Sequence, residues 1–208
     1  HAREEIDFSL WGPVDHIPLS KVKKITGTRM EAAWRDIPQV TQFDKVDITD
    51  LDEHRKKLNN ENSHIKTTFL PFLIIAVTQT LREFPDFNSS LSVDKETLIH
   101  KKYYHIGVAV DTPGGLVVPV IKDTNKKEIS ALSMEMEDLS NRARENKLTP
   151  EELKGGTFTI SSLGGIGGTY FSPIVNPPQV AILGVSKAKW EPEFLKKKKT
   201  FIPKYVLP

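Results

Sequence analysis

Cysteine is absent from the 208 residues. That excludes a disulfide framework, a thiolate metal site and a cysteine nucleophile, and it suits a reducing compartment. Long apolar runs are missing too. The longest, Phe69 to Val77, contains Pro71 and falls far short of the roughly 18 residues of a membrane span, so it reads as the start of a buried helix. Nor is there an excess of charge of one sign. The 29 basic residues face 27 acidic ones, a formal net of +2, which argues against a nucleic-acid-binding domain. The opening HAREEIDFSLWGP has no signal-peptide pattern, and a start at His rather than Met reads as an excised fragment. The expectation is a soluble domain of an intracellular type.

What is present can fill a core, since 38% of the residues are hydrophobic, enough for one large domain or two small ones. Residues 1–18 mix charge with Phe8, Leu10 and Trp11 and read as an extended arm whose aromatics need a neighbour to cover them. Ser20 is an N-cap signal for a helix to about Trp34, with Leu19, Val22, Met30 and Ala33 near one face. Gln39 to Ile48 alternates apolar with polar, the period of a half-buried strand. Thr49 or Asp50 opens a charged helix to about Asn59, and Glu61 to Lys66 is a polar linker. Thr67 or Thr68 opens an apolar helix that Pro85 stops.

From Asn88 the texture turns to strand. Thr97–His100, Tyr104–Val110 and Leu116–Ile121 are predicted strands around the turn signal Asp111-Thr112-Pro113-Gly114-Gly115. Ser130 to Asn146 is helical, and Thr149-Pro150-Glu151-Glu152 carries the cap of a short helix. Thr157–Ser161, Val180–Val185 and Thr200–Val206 are further strands. Helices and strands alternate irregularly with no internal repeat, which predicts a two-layer α/β domain with helices on a mixed sheet.

Few residues point to chemistry on their own. Ser161 ends a β-branched strand just before a glycine-rich segment. It can present a hydroxyl where a ligand approaches bare backbone, or it can cap the turn's own N–H groups. Gly164, Gly165, Gly167 and Gly168 lack the Gly-Lys-Ser/Thr ending of a phosphate loop and the GxGxxG of a dinucleotide site. Asp111 has the plain reading of an aspartate that caps its own turn, and Arg55 that of a solvated helix residue. Lys196 to Lys199 reads as a hairpin turn between two strands. None of the six histidines stands at a metal-ligand spacing.

Longer strings carry more. From Gly155 the chain reads GGTFTISSLGGIGGTYFSPIVNPPQVAILGVSKA, and upstream stand IPQVTQFDKVDIT, FPDFNSSL and KKYYHIGVAVDTPGGLVVPVIKD. These strings, spread over essentially the whole chain, resemble the catalytic core of the dihydrolipoamide acyltransferases of 2-oxo acid dehydrogenase complexes. The wording ISSLGG and PIVNPPQVAILGVSKA is closest to the pyruvate-complex branch. The resemblance implies a chloramphenicol-acetyltransferase-like fold for residues 19–208, forming trimers built into a 24-mer or 60-mer core. It implies acetyl transfer between dihydrolipoamide and coenzyme A, with the lipoyl group carried on a domain outside this chain. Pyruvate dehydrogenase and dihydrolipoamide dehydrogenase subunits are the implied partners, in a bacterial cytoplasm rather than a mitochondrial matrix.

The resemblance also assigns residues. Ser161 is the implied donor to the oxyanion of the tetrahedral intermediate. Arg55, Thr68, Asp111, Ser162 and Leu183 are implied to line the coenzyme A site, with Arg142 and Arg144 as further phosphate candidates. In the family an Asp-His-Arg-x-x-(Asp/Asn)-Gly motif follows the counterpart of Leu207-Pro208 and supplies the catalytic histidine. The sequence stops just before it, so the chain is expected to lack the base, to miss the C-terminal part of the domain and to be inactive by itself.

Overall fold

The computed structural model describes residues 5–61 and 64–208. The first four residues of the expected arm, and residues 62–63 of the expected linker, lie outside them. The rest of the arm, residues 5–18, is exposed and has one short 3-10 turn, Phe8–Leu10, capped by the Asp7 carboxylate.

Among the described residues there are four α-helices: α1 (Lys21–Asp36), α2 (Thr49–Glu61), α3 (Phe69–Glu83) and α4 (Ile129–Arg144). The strands run β1 (Val46–Asp47), β2 (Ser89–Leu91), β3 (Leu98–His100), β4 (Ile106–Val108), β5 (Val110–Thr112) and β6 (Gly115–Val117). They continue with β7 (Val120–Ile121), β8 (Phe158–Ser162), β9 (Ile182–Val185), β10 (Lys189–Leu195) and β11 (Thr200–Leu207). A four-stranded mixed sheet in the order β7-β4-β8-β9 forms the centre, with β4, β8 and β9 parallel and β7 antiparallel to β4. Two hairpins, β2-β3 and β5-β6, flank it, and β1-β11-β10 forms a separate sheet. The predicted class, helices packed on a mixed sheet, is the one observed.

Register explains the core. In the central sheet Ile106, Val108, Phe158, Ile160, Leu183 and Val185 point to one face, because paired residues share a face and successive residues alternate. That face meets α3 and α4. Along α3, Pro71, Ile74, Thr78 and Leu81 are buried at spacings of three and four. Along α4, Leu132, Met136, Leu139 and Ala143 repeat the pattern. Ile74, Ile106, Leu132 and Ile160 are completely buried between the two layers.

Several boundaries differ from the sequence reading. Of the alternating Gln39–Ile48 segment only Val46 and Asp47 are strand, opposite Leu207 and Val206 of β11, and the Ile48 N–H adds a bond to the Tyr205 carbonyl at 2.7 Å. Val40 is 96% exposed, so alternation there records extended backbone without a buried face. The predicted 104–110 and 116–121 strands are each broken in two, and the second break falls at Pro119, which has no N–H to donate. Ser20 does cap α1, accepting from the Lys23 N–H at 3.2 Å, yet Ala33 is the one buried residue of that helix. Strand β10 was readable only as the partner of the Lys196–Lys199 turn, since KWEPEFL carries charge and a proline.

Because Ile160 is fully buried and flanked by the helix layer, Ile160→Ala is expected to cost about 2–5 kcal/mol in urea unfolding. Val40→Ala should change stability by less than about 0.5 kcal/mol. Equal effects at the two positions would contradict this placement of the core.

Candidate active site

The carboxyl ends of parallel strands β4, β8 and β9 lie side by side, and Ser161 and Ser162 close β8 there. Ser161 pairs with Gly184 and Ser162 with Val185, so the two hydroxyls lie on opposite faces of the sheet. Ser162 shares the helix-facing side with Leu183. Its Oγ accepts from the Gly164 N–H at 3.3 Å, and the turn that follows is closed by the Ile166 and Gly167 N–H groups on the Leu163 carbonyl. The cap-serine reading thus fits Ser162. Ser161 is half-buried, and among the described residues its hydroxyl bonds to nothing.

Glycine at 184 is a requirement of close approach. A Cβ there would stand 3.0 Å from the Phe171 ring and 3.1 Å from Pro173 Cδ. The segment after the glycine turn therefore folds back against the strand beside Ser161. Gly167 and Gly168 adopt φ of 115° and 96°, values that L side chains rarely take, which lets the turn reverse.

Asp111 is not the cap of its turn. It pairs with Leu116 in the β5-β6 hairpin, and the Thr112 hydroxyl closes the turn by donating to the Gly115 carbonyl at 2.6 Å. The Ala109 N–H donates to the Ile160 carbonyl at 3.0 Å, which fixes this hairpin at the same sheet end as Ser161, with the Asp111 carboxylate exposed.

Arg55 and Thr68 stand in the helix layer, and no hydrogen bond joins either to Ser161. Arg55 is not a freely solvated residue. Its Nε and Nη2 donate to Asp52 Oδ1 at 3.1 and 2.7 Å, and its guanidinium lies 4.8 Å over the Phe69 ring. Burial works against charge on Asp52, yet hydrogen bonds from Lys56 and Arg55 outweigh it and hold the carboxyl below its usual range. The fork uses two of its five donors on Asp52, which leaves others for an anion. Thr68 occupies the N-cap position of α3 without a side-chain cap bond, so its hydroxyl is open. A cleft of about 490 Å³, lined by His54, Leu58, Ile65, Thr67, Lys127, Glu128 and Ser130, opens in the same layer, and neither Arg55 nor Thr68 lines it. None of those residues is on β8.

Strand β11 connects the two regions. Phe69 meets Tyr205 at 6.3 Å between ring centres, and three residues on, the Pro208 carbonyl accepts from the Ser186 N–H at 3.0 Å. Ser186 follows Val185, the partner of Ser162. The end of β11 thus lies against the end of β9, the strand that pairs with β8.

Other candidates are engaged elsewhere. Arg142 is a poor phosphate ligand, because it bonds both carboxylate oxygens of Glu152 at 2.9 and 2.6 Å and also Asp138. Arg144 donates to Asn141 Oδ1 at 3.5 Å and remains exposed. His100 bonds Asp86, and His105 Nδ1 accepts from the Asp123 N–H near the opposite end of the sheet. His54 packs edge-on to Phe72. Asp52 and Phe69, which orient Arg55, were missed in the sequence, although Asp52 sits at the i−3 position where a helical ion pair is readable.

With this geometry in view, the comparisons are specific. Residues 12–207 match the family described as 2-oxoacid dehydrogenases acyltransferase, catalytic domain. The chain belongs to that family. It is 50% identical over 208 residues to the dihydrolipoyllysine-residue acetyltransferase component of the Haemophilus influenzae pyruvate dehydrogenase complex. That match covers 98% of this chain and 36% of the relative. The Cupriavidus necator component is 49% identical over 206 residues, with the same coverage. The chain therefore spans about a third of the length of these curated relatives.

Solved acyltransferase structures agree. The Azotobacter vinelandii dihydrolipoamide acetyltransferase, studied for a serine, a histidine and an asparagine in its catalytic mechanism, superposes with a TM-score of 0.94. It is 44% identical, over 99% of this chain and 84% of that one. The cubic core of a pyruvate dehydrogenase multienzyme complex gives the same values. A truncated catalytic core from Thermoplasma acidophilum gives 0.82 at 34% identity, over 93% and 86% of the two chains.

The Arg142–Glu152 pair makes a pH prediction. Glu152 is held down to about 2, first by the Arg142 hydrogen bonds and then by the Thr149 N–H. A lowered carboxyl stabilises the fold above its unfolded value, near 4.5, and loses that contribution as pH falls toward 2. Thermal melts of Glu152→Gln should therefore fall below the parent above about pH 4.5, and the gap should close as pH drops to about 2. A gap that persists at low pH would contradict a structural role for Arg142.

Proposed function

We propose that the chain moves an acetyl group between dihydrolipoamide and coenzyme A. The observation that carries this is the unpartnered Ser161 hydroxyl at the carboxyl end of β8, in a member of the acyltransferase family. A thiol with a pKa near 8.5 is a poor nucleophile while protonated. A neutral histidine takes the proton, the thiolate attacks the acetyl carbonyl, and the carbonyl oxygen becomes an oxyanion. Ser161 donates to that oxyanion. Collapse expels the second thiolate, which regains the proton from the histidine.

The residues fit the two substrates on two sides of the strand end. Ser162 and Leu183 face the helix layer, where Arg55 keeps donors for a coenzyme A phosphate and the Thr68 hydroxyl is uncommitted. Ser161 faces the Phe171 and Pro173 segment, and Asp111 stands at the mouth of the same sheet end. Phosphate suits Arg55 because its guanidinium offers donors in a fixed fork. The general base is the histidine of the family motif, and no histidine among the described residues bonds to Ser161. Pro208 bonds Ser186, at the end of β9 next to the serine strand.

Assembly follows the relatives. The arm exposes Phe8 (63%), Leu10 (75%), Trp11 (74%) and Ile17 (83%), more apolar surface than a solitary segment carries without a neighbour. We read this as subunit packing within a trimer-based core of the cubic kind. Pyruvate dehydrogenase and dihydrolipoamide dehydrogenase subunits would join through other parts of the full-length protein. A bacterial cytoplasm is the setting we propose.

A second reading is a core element that assembles without turnover, favoured by the finding that among the described residues no histidine bonds to Ser161. One steady-state assay separates the two. In the full-length protein, Ser161→Ala should lower kcat on the order of 10²–10³-fold with little change in KM, while a polypeptide made to end at Pro208 should turn over nothing. A full rate from Ser161→Ala would sink the oxyanion role, and turnover by the shortened polypeptide would require another base.

A further inference from the structure

Beneath Ser161 the strand rests on a buried polar chain that acyl-transfer chemistry does not itself require. Thr159 shares a face of β8 with Ser161, two residues away. It is 1% exposed, and its Oγ1 donates to Oε1 of Gln179 at 2.7 Å; Gln179 is 7% exposed. One residue back, the Pro178 carbonyl accepts from Ser90 Oγ at 2.5 Å, and Ser90 Oγ in turn accepts from Lys101 Nζ at 2.6 Å. Lys101 Nζ also donates to the Ser89 carbonyl at 2.8 Å. Four segments far apart in sequence meet along this line.

The surroundings are shaped to it. A Cβ on Gly107 would stand 2.8 Å from Val118 and 3.1 Å from Thr159 Oγ1, and one on Gly156 would stand 3.1 Å from Gln179 Nε2. Bare backbone on both sides gives the Thr159–Gln179 pair its room. The Gln179 N–H closes a turn on the Asn176 carbonyl at 3.1 Å, directly after the segment whose Phe171 and Pro173 press on Gly184. Gly184 is the register partner of Ser161. The turn thus bonds the Ser161 face of β8 at Thr159 and continues from the segment that walls the hydroxyl. Among the described residues Lys101 Nζ bonds a carbonyl and a hydroxyl and no carboxylate, and burial disfavours its charge. Its bonds serve geometry and form no ion pair.

We propose that Gln179 and Lys101 are positioning residues for Ser161, fixing through the 176–179 turn and Thr159 the place at which the hydroxyl is presented. The inference rests on Ser161 acting as the oxyanion donor.

A double-mutant cycle on the full-length protein tests it, with acetyl transfer between dihydrolipoamide and coenzyme A as the assay. Lys101→Met and Gln179→Leu should each lower kcat on the order of 10–100-fold, as a displaced catalytic group does, with KM for both thiols unchanged. In a Ser161→Ala background the same changes should cost less than about twofold, because the group they position is gone. Undiminished losses in that background, losses confined to KM, or no loss at all would overturn the proposal. If Gln179→Leu does not fold, Lys101→Met at the half-buried end of the chain carries the same test. A parent protein without acetyl transfer, or a Ser161→Ala variant at full rate, would overturn the functional reading and this inference with it.

Discussion

The parallel register of β8 against β9 is the constraint on which the rest depends. Pairing Ile160 with Leu183 sends both into the helix layer, and the next pair, Ser161 with Gly184, must then face the other way. A slip of one residue would bury Ser161 among Ile74, Leu132 and Ile106 and turn Ile160 onto the polar face that carries Thr159, exchanging a fully buried isoleucine for a hydroxyl without a partner. Burying a side chain of that size contributes roughly 1.5–3 kcal/mol, and stranding a hydroxyl in the core costs a similar amount. The register is therefore fixed by apolar burial, and the direction of the Ser161 hydroxyl is a consequence of it.

Part of the charge is committed to structure. Arg142 is held between Glu152 and Asp138, Lys204 bonds Asp47, and Lys45 bonds Glu191. Such half-exposed pairs contribute little singly, but they remove those side chains from competition for an anionic ligand. Arg55 differs because its single carboxylate partner holds two of its donors on one oxygen while Phe69 supports its plane. The outcome is an oriented guanidinium with open donors, which is what phosphate recognition needs.

Much of this was legible in the sequence, for physical reasons that differ by element. The helix at Ser20 and the one before Pro85 were readable because caps and breakers act locally. The β8 strand was readable from its run of β-branched and aromatic residues. Tertiary geometry decided the rest. Alternation at Gln39–Ile48 predicted a strand, but a strand also needs a partner, and only Val46 and Asp47 have one. Asp111 matched a turn signal, yet Thr112 makes the closing bond. The sequence places Ser161 and Ser162 next to each other without saying that they face opposite ways, and nothing local marks Gln179, Ser90 or Lys101 as the support beneath them. Those contacts join residues separated by 11 to 88 positions.

The central claim is that Ser161 is aimed at the oxygen that becomes negative during acetyl transfer. A crystal structure of the full-length protein's catalytic core bound to a tetrahedral analogue of the acetyl-transfer intermediate tests it most directly. The account predicts the analogue's oxyanion about 2.7–3.1 Å from Ser161 Oγ, with the coenzyme A phosphates on the side of Arg55. An oxyanion bound on the Ser162 face, or held only by groups other than Ser161, would contradict it.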